Sequence, residues 1–267
     1  MKCFYPLVFY DRITYFQQVK TIVLLLQILL LIGCGSPEWQ LKKVTGKRIA
    51  IDTVLPTKSS INALVAPYRE KVAKEMSQVL CIAPKDITGK DGKFQSSLGN
   101  LLADLSYEMG NPVFEKKTKQ TIDFVFMNAG GLRAPISKGK VTVQNAFSLM
   151  PFENDLVAVK MSGEKVKALF DYFLQKQRPH PLSKNVQVEI NDEDYRVTIQ
   201  GKAFNKNLSY WVLTNDYLQN GGDGMVFFQK PEALIGLDYK VRDAILNYFA
   251  QVGQLTASLD QRVIVQP

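Results

Sequence analysis

Apolar residues recur at intervals of three and four in several stretches of the chain, a spacing that places them on one face of a helix. The first stretch follows Ser59 and Ser60, whose side chains are suited to cap a helix N-terminus. A second stretch covers residues 97–108 and is followed by Gly110, a typical helix stop. We predict helices from Ser59, over 97–108, over 164–174 and over 238–252.

Other stretches alternate between apolar and polar residues or form short apolar runs, as strands do. The predicted strands cover residues 48–54, 122–127, 208–214 and 262–265. Residues 186–190 and 195–199 also alternate and flank a polar tetrapeptide, which predicts a hairpin. Because helices and strands mix and one hairpin is clear, we predict an α+β fold in which a mixed β-sheet is flanked by helices.

The N-terminus has the pattern of an export signal. Residues 22–32 contain one polar side chain, Gln27, and as a helix they would span about 16 Å, roughly half a bilayer core. Arg12 and Lys20 supply positive charge before this stretch. The segment Leu31-Ile32-Gly33-Cys34 resembles the lipobox of bacterial lipoproteins, whose cysteine is acylated and becomes the mature N-terminus.

We therefore predict a lipoprotein signal peptide over residues 1–33, a tether over 34–47 and one folded domain over 48–267. The protein would be extracytoplasmic, either facing the periplasm or on the cell surface, with Cys34 as its lipid anchor to a bacterial membrane. Cys81 would then be the one thiol of the folded part, which leaves no internal disulfide. The whole chain has a formal charge of +8, which suits phosphate-bearing ligands or anionic lipid and does not choose between them.

The histidine content excludes one class of function. The chain has a single histidine, His180, and its position between Pro179 and Pro181 predicts an extended surface loop. A two-metal hydrolase site draws on several imidazoles, and a serine or cysteine nucleophile needs one that is well placed. We therefore predict no catalytic residue and no metal site in this chain.

Two glycine-rich segments each follow a predicted strand, namely residues 128–133 (NAGGLR) and 220–224 (NGGDG). Glycine permits positive φ and close approach of a ligand, but such clusters are also common in plain turns. Neither segment has the spacing of a phosphate-binding GxxxxGK[ST] or GxGxxG loop. Taken singly, each segment is open to both interpretations.

Taken together, the segments resemble a known family. They appear in the order GNLLAD (99–104), FMNAGGLR (126–133), MPFEN (150–154) and TNDYLQNGGDG (214–224), with Ile136, Gly139 and Val141-Thr142 in register. This series resembles the C-terminal domain of the 5′-nucleotidase, UDP-sugar hydrolase and 2′,3′-cyclic phosphodiesterase family, from about residue 50 to the end. In that family the C-terminal domain recognises the nucleotide, and a separate N-terminal metallophosphoesterase domain holds two metals and the catalytic histidine.

The resemblance implies a substrate site of six residues: Asn128, Arg133, Phe152, Asn154, Tyr217 and Asp223. Phe152 and Tyr217 would sandwich the base, and Asn154 would lie beside it. Members of the family often carry phenylalanine at the position of Tyr217, a change that keeps the ring. Without the resemblance, burial in the core would be the ordinary interpretation of both aromatic residues.

The remaining three residues would bind the polar parts of the ligand. Asn128 and Asp223 would bond the base or the ribose hydroxyls, and Arg133 would hold the phosphate through charge-assisted hydrogen bonds.

Two positions depart from the family pattern. An arginine that helps to bind phosphate is missing from residues 92–95 (GKFQ), where Lys93 could replace its charge without its bidentate fork. Glu153 stands where relatives have a small residue, so its carboxylate would either repel phosphate or face solvent.

The resemblance implies a nucleotide-recognition domain that acts with a separately encoded metallophosphoesterase and is inactive alone. Divalent metals would then belong to the partner chain, and no cofactor would belong to this one. The alternative is a non-catalytic lipoprotein that binds nucleosides or nucleotides, and a third interpretation is a scaffold that has lost its ligand. A nucleic-acid partner is not expected.

Overall fold

The computed structural model describes residues 8–32, 40–50, 58–191 and 194–266, and the chain divides into two compact units, Met1–Thr57 and Lys58–Pro267. In the first unit, helix α1 covers Val8–Ile32 and includes the apolar stretch 22–32. In the part of the chain that the structure describes, no helix is both long and apolar enough to cross a membrane. Cys34 and residues 51–54 of the predicted first strand lie outside the described residues, and 48–50 form no strand.

The second unit contains the other helices and all the strands described. The helices are α2 (Ser59–Met76), α3 (Ser97–Thr118), α4 (Val143–Leu149), α5 (Gly163–Lys176), α6 (Asp216–Gln219) and α7 (Val241–Gln251). The strands are β1 (Val79–Ala83), β2 (Phe124–Val125), β3 (Gly139–Thr142), β4 (Asp155–Ser162), β5 (Val186–Ile190), β6 (Tyr195–Ile199), β7 (Lys202–Ala203), β8 (Ser209–Asn215), β9 (Ala233–Lys240) and β10 (Val263–Val265).

The central sheet has the strand order β2-β8-β4-β9 and is mixed, because β2 runs parallel to β8 while β4 runs antiparallel to both β8 and β9. Smaller sheets have the orders β1-β3 and β10-β5-β6-β7. The core is rich in phenylalanine, and the rings of Phe124 on β2 and Phe170 on α5 stack at 5.9 Å. The predicted α+β class with mixed sheet and flanking helices is confirmed, and the strands form three sheets rather than one.

The predicted hairpin has the bounds that the structure shows, with β5 and β6 paired antiparallel. Two helix boundaries were wrong. Gly110 does not end α3, which continues to Thr118. Glycine is needed there for packing instead, because a Cβ would lie 2.8 Å from the Leu213 side chain. Residues 238–240 belong to β9 rather than α7, because Lys240 pairs with Asp155.

The caps of α2 and α3 also differ from the prediction. Ser59 and Ser60 lie inside α2, and the capping position is held by Lys58 without a side-chain hydrogen bond. A serine cap of the kind predicted for α2 is found on α3. There the Ser96 hydroxyl accepts from the Gly99 amide at 3.0 Å. Cys81 is buried in β1 as a free thiol.

Candidate functional site

Three loops meet at one edge of the central sheet, and the strand directions explain why. The first loop (residues 126–133) follows β2, and the third loop (residues 215–224) follows the parallel strand β8. The second loop (residues 150–154) precedes β4, which is antiparallel to β8. The ends of β2 and β8 and the start of β4 therefore lie at the same edge.

The loops enclose a cleft of about 520 Å³, within the roughly 300–1,000 Å³ range of small-molecule sites. The described residues that line it are Asn128, Gly130, Gly131, Arg133, Met150, Phe152, Glu153, Asn154, Asn215, Tyr217 and Asp223. All six residues of the predicted substrate site are among them. The structure thus brings together side chains that lie up to 95 positions apart in the sequence.

Phe152 and Tyr217 present aromatic surface to this cleft. Phe152 is 39% exposed and Tyr217 is 46% exposed, whereas the core phenylalanines are almost fully buried. Core packing therefore does not account for either ring. Exposed aromatic faces in a cleft are suited to stacking on a planar ligand.

Tyr217, Asp223 and Asn128 form a polar network across the cleft. The Tyr217 hydroxyl donates to Asp223 Oδ1 at 2.9 Å, and Asn128 Nδ2 donates to Asp223 Oδ2 at 2.7 Å. Asp223 has φ near 54°, in the left-handed region that disfavours most side chains. Its peptide is held there because the Tyr172 hydroxyl donates to its carbonyl oxygen at 2.9 Å.

The glycine next to Asp223 is required by packing. A Cβ on Gly222 would lie 2.5 Å from ring atoms of Tyr217, so only glycine admits the ring in this position. The ring of Tyr217 therefore lies against the backbone of the third loop, with its hydroxyl on Asp223. The glycine-rich sequence here supports a side chain and is more than a plain turn.

Arg133 and Asn154 occupy the sides of the cleft. The exposed Arg133 guanidinium lies over the Phe152 ring, 5.8 Å from its centroid, and donates to the Gly130 carbonyl at 3.4 Å. Asn154 Nδ2 donates to Asp216 Oδ1 at 2.9 Å, and this same oxygen accepts the Tyr217 amide at 2.8 Å. Asp216 thus links the second and third loops.

Glu153 is paired with cations that lie outside the cleft lining. Its carboxylate accepts from Arg242, and Lys240 Nζ lies 3.5 Å from its second oxygen. The hydrogen bond from Arg242 lowers the pKa of Glu153 below its ordinary value. Arg242 is buried, donates to the Phe152 carbonyl at 3.2 Å and stacks over the Phe147 ring at 4.2 Å. Its charge partly compensates a carboxylate that would otherwise repel phosphate.

Lys93 is not among the described residues that line the cleft. Its ammonium lies 5.3 Å from the centroid of the Phe94 ring. The neighbouring Gln95 donates to the Asp260 carbonyl at 2.8 Å, which ties residues 92–95 to the C-terminal segment. The position of Lys93 therefore does not support the expectation that it replaces the phosphate-binding arginine that the resemblance implied.

The expectation that His180 lies on a surface loop was wrong. Its side chain is buried, because Pro181 accepts from the Met127 amide at 2.9 Å and draws the segment beneath the first loop. His180 Nδ1 accepts from the Ala129 amide at 3.1 Å, and the rings of Phe126 and Tyr172 lie 5.6 Å from the imidazole. His180 therefore supports the first loop from behind.

The sequence model of the family described as "5′-nucleotidase, C-terminal domain" matches residues 79–230, more than half of the chain. The chain belongs to this family.

Similar proteins are longer than the chain. The cell wall protein Lmo0130 of Listeria monocytogenes is 26% identical over 71% of the chain and 26% of its own length. The NAD 5′-nucleotidase of Haemophilus influenzae is 32% identical over 42% of the chain and 22% of its own length. Thus the chain spans less than half of these curated relatives.

A solved structure shows the same fold. The 5′-nucleotidase precursor from Thermus thermophilus superposes with a TM-score of 0.63 at 22% identity, over 78% of the chain and 43% of that protein. The fold of the second unit is therefore that of a 5′-nucleotidase C-terminal domain.

Within residues 8–32, 40–50, 58–191 and 194–266, no three His, Cys, Asp or Glu side chains come together as a metal site.

The burial of His180 predicts how the stability of this 5′-nucleotidase C-terminal domain depends on pH. Burial, aided by repulsion from Arg178, lowers the pKa of His180 from 6.5 to about 4. The unfolded chain therefore binds a proton between pH 6.5 and 4 that the folded chain does not. The stabilisation is complete above pH 6.5, and we expect about 3 kcal/mol to be lost as the pH falls to 4.

Urea unfolding at pH 7 and pH 4.5 measures this loss, with His180→Asn as the comparison. Asparagine retains an acceptor for the Ala129 amide and does not titrate. The variant should lose less stability on acidification than the wild type, and an equal loss in both proteins would contradict the assignment.

Proposed function

We propose that this chain is the nucleotide-recognition domain of a 5′-nucleotidase-type hydrolase, acting with a separately encoded metallophosphoesterase in extracytoplasmic nucleotide breakdown. The observation that carries the proposal is the cleft, where two exposed rings lie beside a fixed carboxylate, an amide and a guanidinium. These are the groups that a base, a ribose and a phosphate require.

In the proposed complex the base lies between Phe152 and Tyr217, with Asn154 beside it. Stacking of a base on an aromatic ring contributes roughly 1–3 kcal/mol and tolerates different bases. Asn128 and Asp223 bond the ribose hydroxyls or the base. The exposed guanidinium of Arg133 binds the phosphate.

In this proposal the hydrolytic chemistry comes from the separately encoded partner chain. The single histidine is buried and its Nδ1 accepts a backbone hydrogen bond. A single buried imidazole does not fit a two-metal centre, which needs several exposed ligands around an open position. We therefore assign divalent metals to the partner chain and no cofactor to this one.

The proposed location is extracytoplasmic, with a lipid anchor on Cys34. Support comes from the apolar stretch 22–32, the lipobox-like sequence that ends it, and the name of the Listeria relative, a cell wall protein. An exported lipoprotein would hold its recognition cleft near the membrane surface, where a partner enzyme could share its substrate.

The test is hydrolysis of AMP by single-domain metallophosphoesterases of the source organism, each purified and assayed with and without this chain. We expect one of them to gain at least tenfold in kcat/KM when the chain is added. Phe152→Ala should remove most of that gain. If no metallophosphoesterase changes in rate or specificity, the subunit proposal fails.

A second candidate is a binding lipoprotein without a catalytic partner, and the charges of the cleft favour it. Among the described lining residues, Arg133 is the cation, while Glu153 and Asp223 are anions. Although Arg242 and Lys240 partly offset the charge of Glu153, a lining with two carboxylates and one guanidinium favours a neutral nucleoside over a nucleotide. Calorimetry that shows tighter binding of adenosine than of AMP, without any partner activation, would support this candidate over the first.

Both candidates place the base on Tyr217, so both predict the effect of Gly222→Ala. The new Cβ would displace the Tyr217 ring, and since the ring is partly exposed it can swing outward at small cost to folding. We expect adenosine affinity to fall at least tenfold, about 1.4 kcal/mol, with little change in Tm.

Gly236→Ala is the matched control, because a Cβ there meets nothing within 4 Å. It should leave affinity and Tm unchanged. Equal affinity of Gly222→Ala and wild type would show that the ring does not contact the base.

A further inference from the structure

We infer that the Tyr217 hydroxyl is a positioning group for Asp223, so that one side chain both stacks on the base and orients the carboxylate that receives the ribose. This inference rests on the proposed function, since it assumes a nucleoside in the cleft. It assigns to Tyr217 a role that a phenylalanine at this position could not perform, since that ring carries no hydroxyl.

The hydrogen bonds fix the Asp223 carboxylate from two directions. Tyr217 donates to Oδ1 at 2.9 Å and Asn128 donates to Oδ2 at 2.7 Å, so neither oxygen is free to rotate away. The backbone is tied to the same ring, because the Asp223 amide donates to the Tyr217 oxygen at 3.3 Å. Side chain and peptide of Asp223 are thus both held by Tyr217.

The position of the ring is itself constrained. Gly222 lets the ring lie against the loop backbone, and the Tyr217 amide is anchored on Asp216. A tyrosine hydroxyl is protonated at neutral pH and can therefore donate, and the hydrogen bond to Asp223 raises the pKa of Tyr217 further. The tyrosine therefore holds the carboxylate from a defined position in the loop.

A carboxylate held in one orientation can accept from two neighbouring hydroxyls at once, so it binds a diol more tightly than a single hydroxyl. Each carboxylate oxygen accepts two hydrogen bonds, and the protein supplies one to each oxygen of Asp223. One further acceptor direction remains on each, which suits the vicinal 2′- and 3′-hydroxyls of a ribose. A carboxylate that lacks the Tyr217 bond could turn to meet a single hydroxyl and would discriminate less.

The test compares wild type and Tyr217→Phe by calorimetry with adenosine, 2′-deoxyadenosine and 3′-deoxyadenosine. The wild type should bind adenosine at least tenfold more tightly than either deoxynucleoside. In Tyr217→Phe, which keeps the stacking ring, that preference should shrink at least fivefold, mainly through weaker adenosine binding. Tyr239→Phe is the control, because its hydroxyl contacts Asn247 outside the cleft and its loss should change nothing.

Two results would overturn the inference while leaving the proposed function intact. An unchanged preference in Tyr217→Phe would show that the hydroxyl does not position Asp223. An equal loss of affinity for all three nucleosides would show that Tyr217 acts only through the fold or through stacking. If the wild type binds none of the nucleosides, the proposed function fails and the inference fails with it.

Discussion

The hydrogen bond from the Asn128 amide to the Asp223 carboxylate is the contact on which the candidate site depends. It joins the loops that follow β2 and β8, and it forms only because these parallel neighbours end at the same edge of the sheet. A charged acceptor makes this bond stronger than a neutral one. Without it, the two glycine-rich segments would be separate turns, as their sequences taken singly allow.

Polar groups behind the loops hold their backbones in place, and of these His180 and Arg242 are buried. His180 accepts the Ala129 amide, Tyr172 donates to the Asp223 carbonyl, and Arg242 donates to the carbonyl that precedes Glu153 in the second loop. Each of these contacts uses a backbone group of one loop, so none of them occupies a side chain that lines the cleft. Arg242 has a second effect, since it also offsets the charge of the Glu153 carboxylate in the second loop.

Features set by local pattern could be predicted, and features set by tertiary packing could not. The hairpin over 186–199 follows from alternation on both sides of a polar turn. The six candidate site residues came instead from the family resemblance, and the structure places them in one cleft. The burial of His180 was missed because flanking prolines indicate a loop without saying what covers it. Gly110 was mistaken for a helix stop because its close approach to β8 appears only in the fold. The pairing of Arg242 depends likewise on where β9 ends beside β4.

A crystal structure of the protein with adenosine would show whether the three loops form one nucleoside site. We predict that the base lies between the rings of Phe152 and Tyr217. We also predict that a ribose hydroxyl lies within hydrogen-bond distance, about 3 Å, of the Asp223 carboxylate. A base bound elsewhere, or rings that close on each other and leave no room for it, would contradict the assignment of this cleft as a nucleoside site.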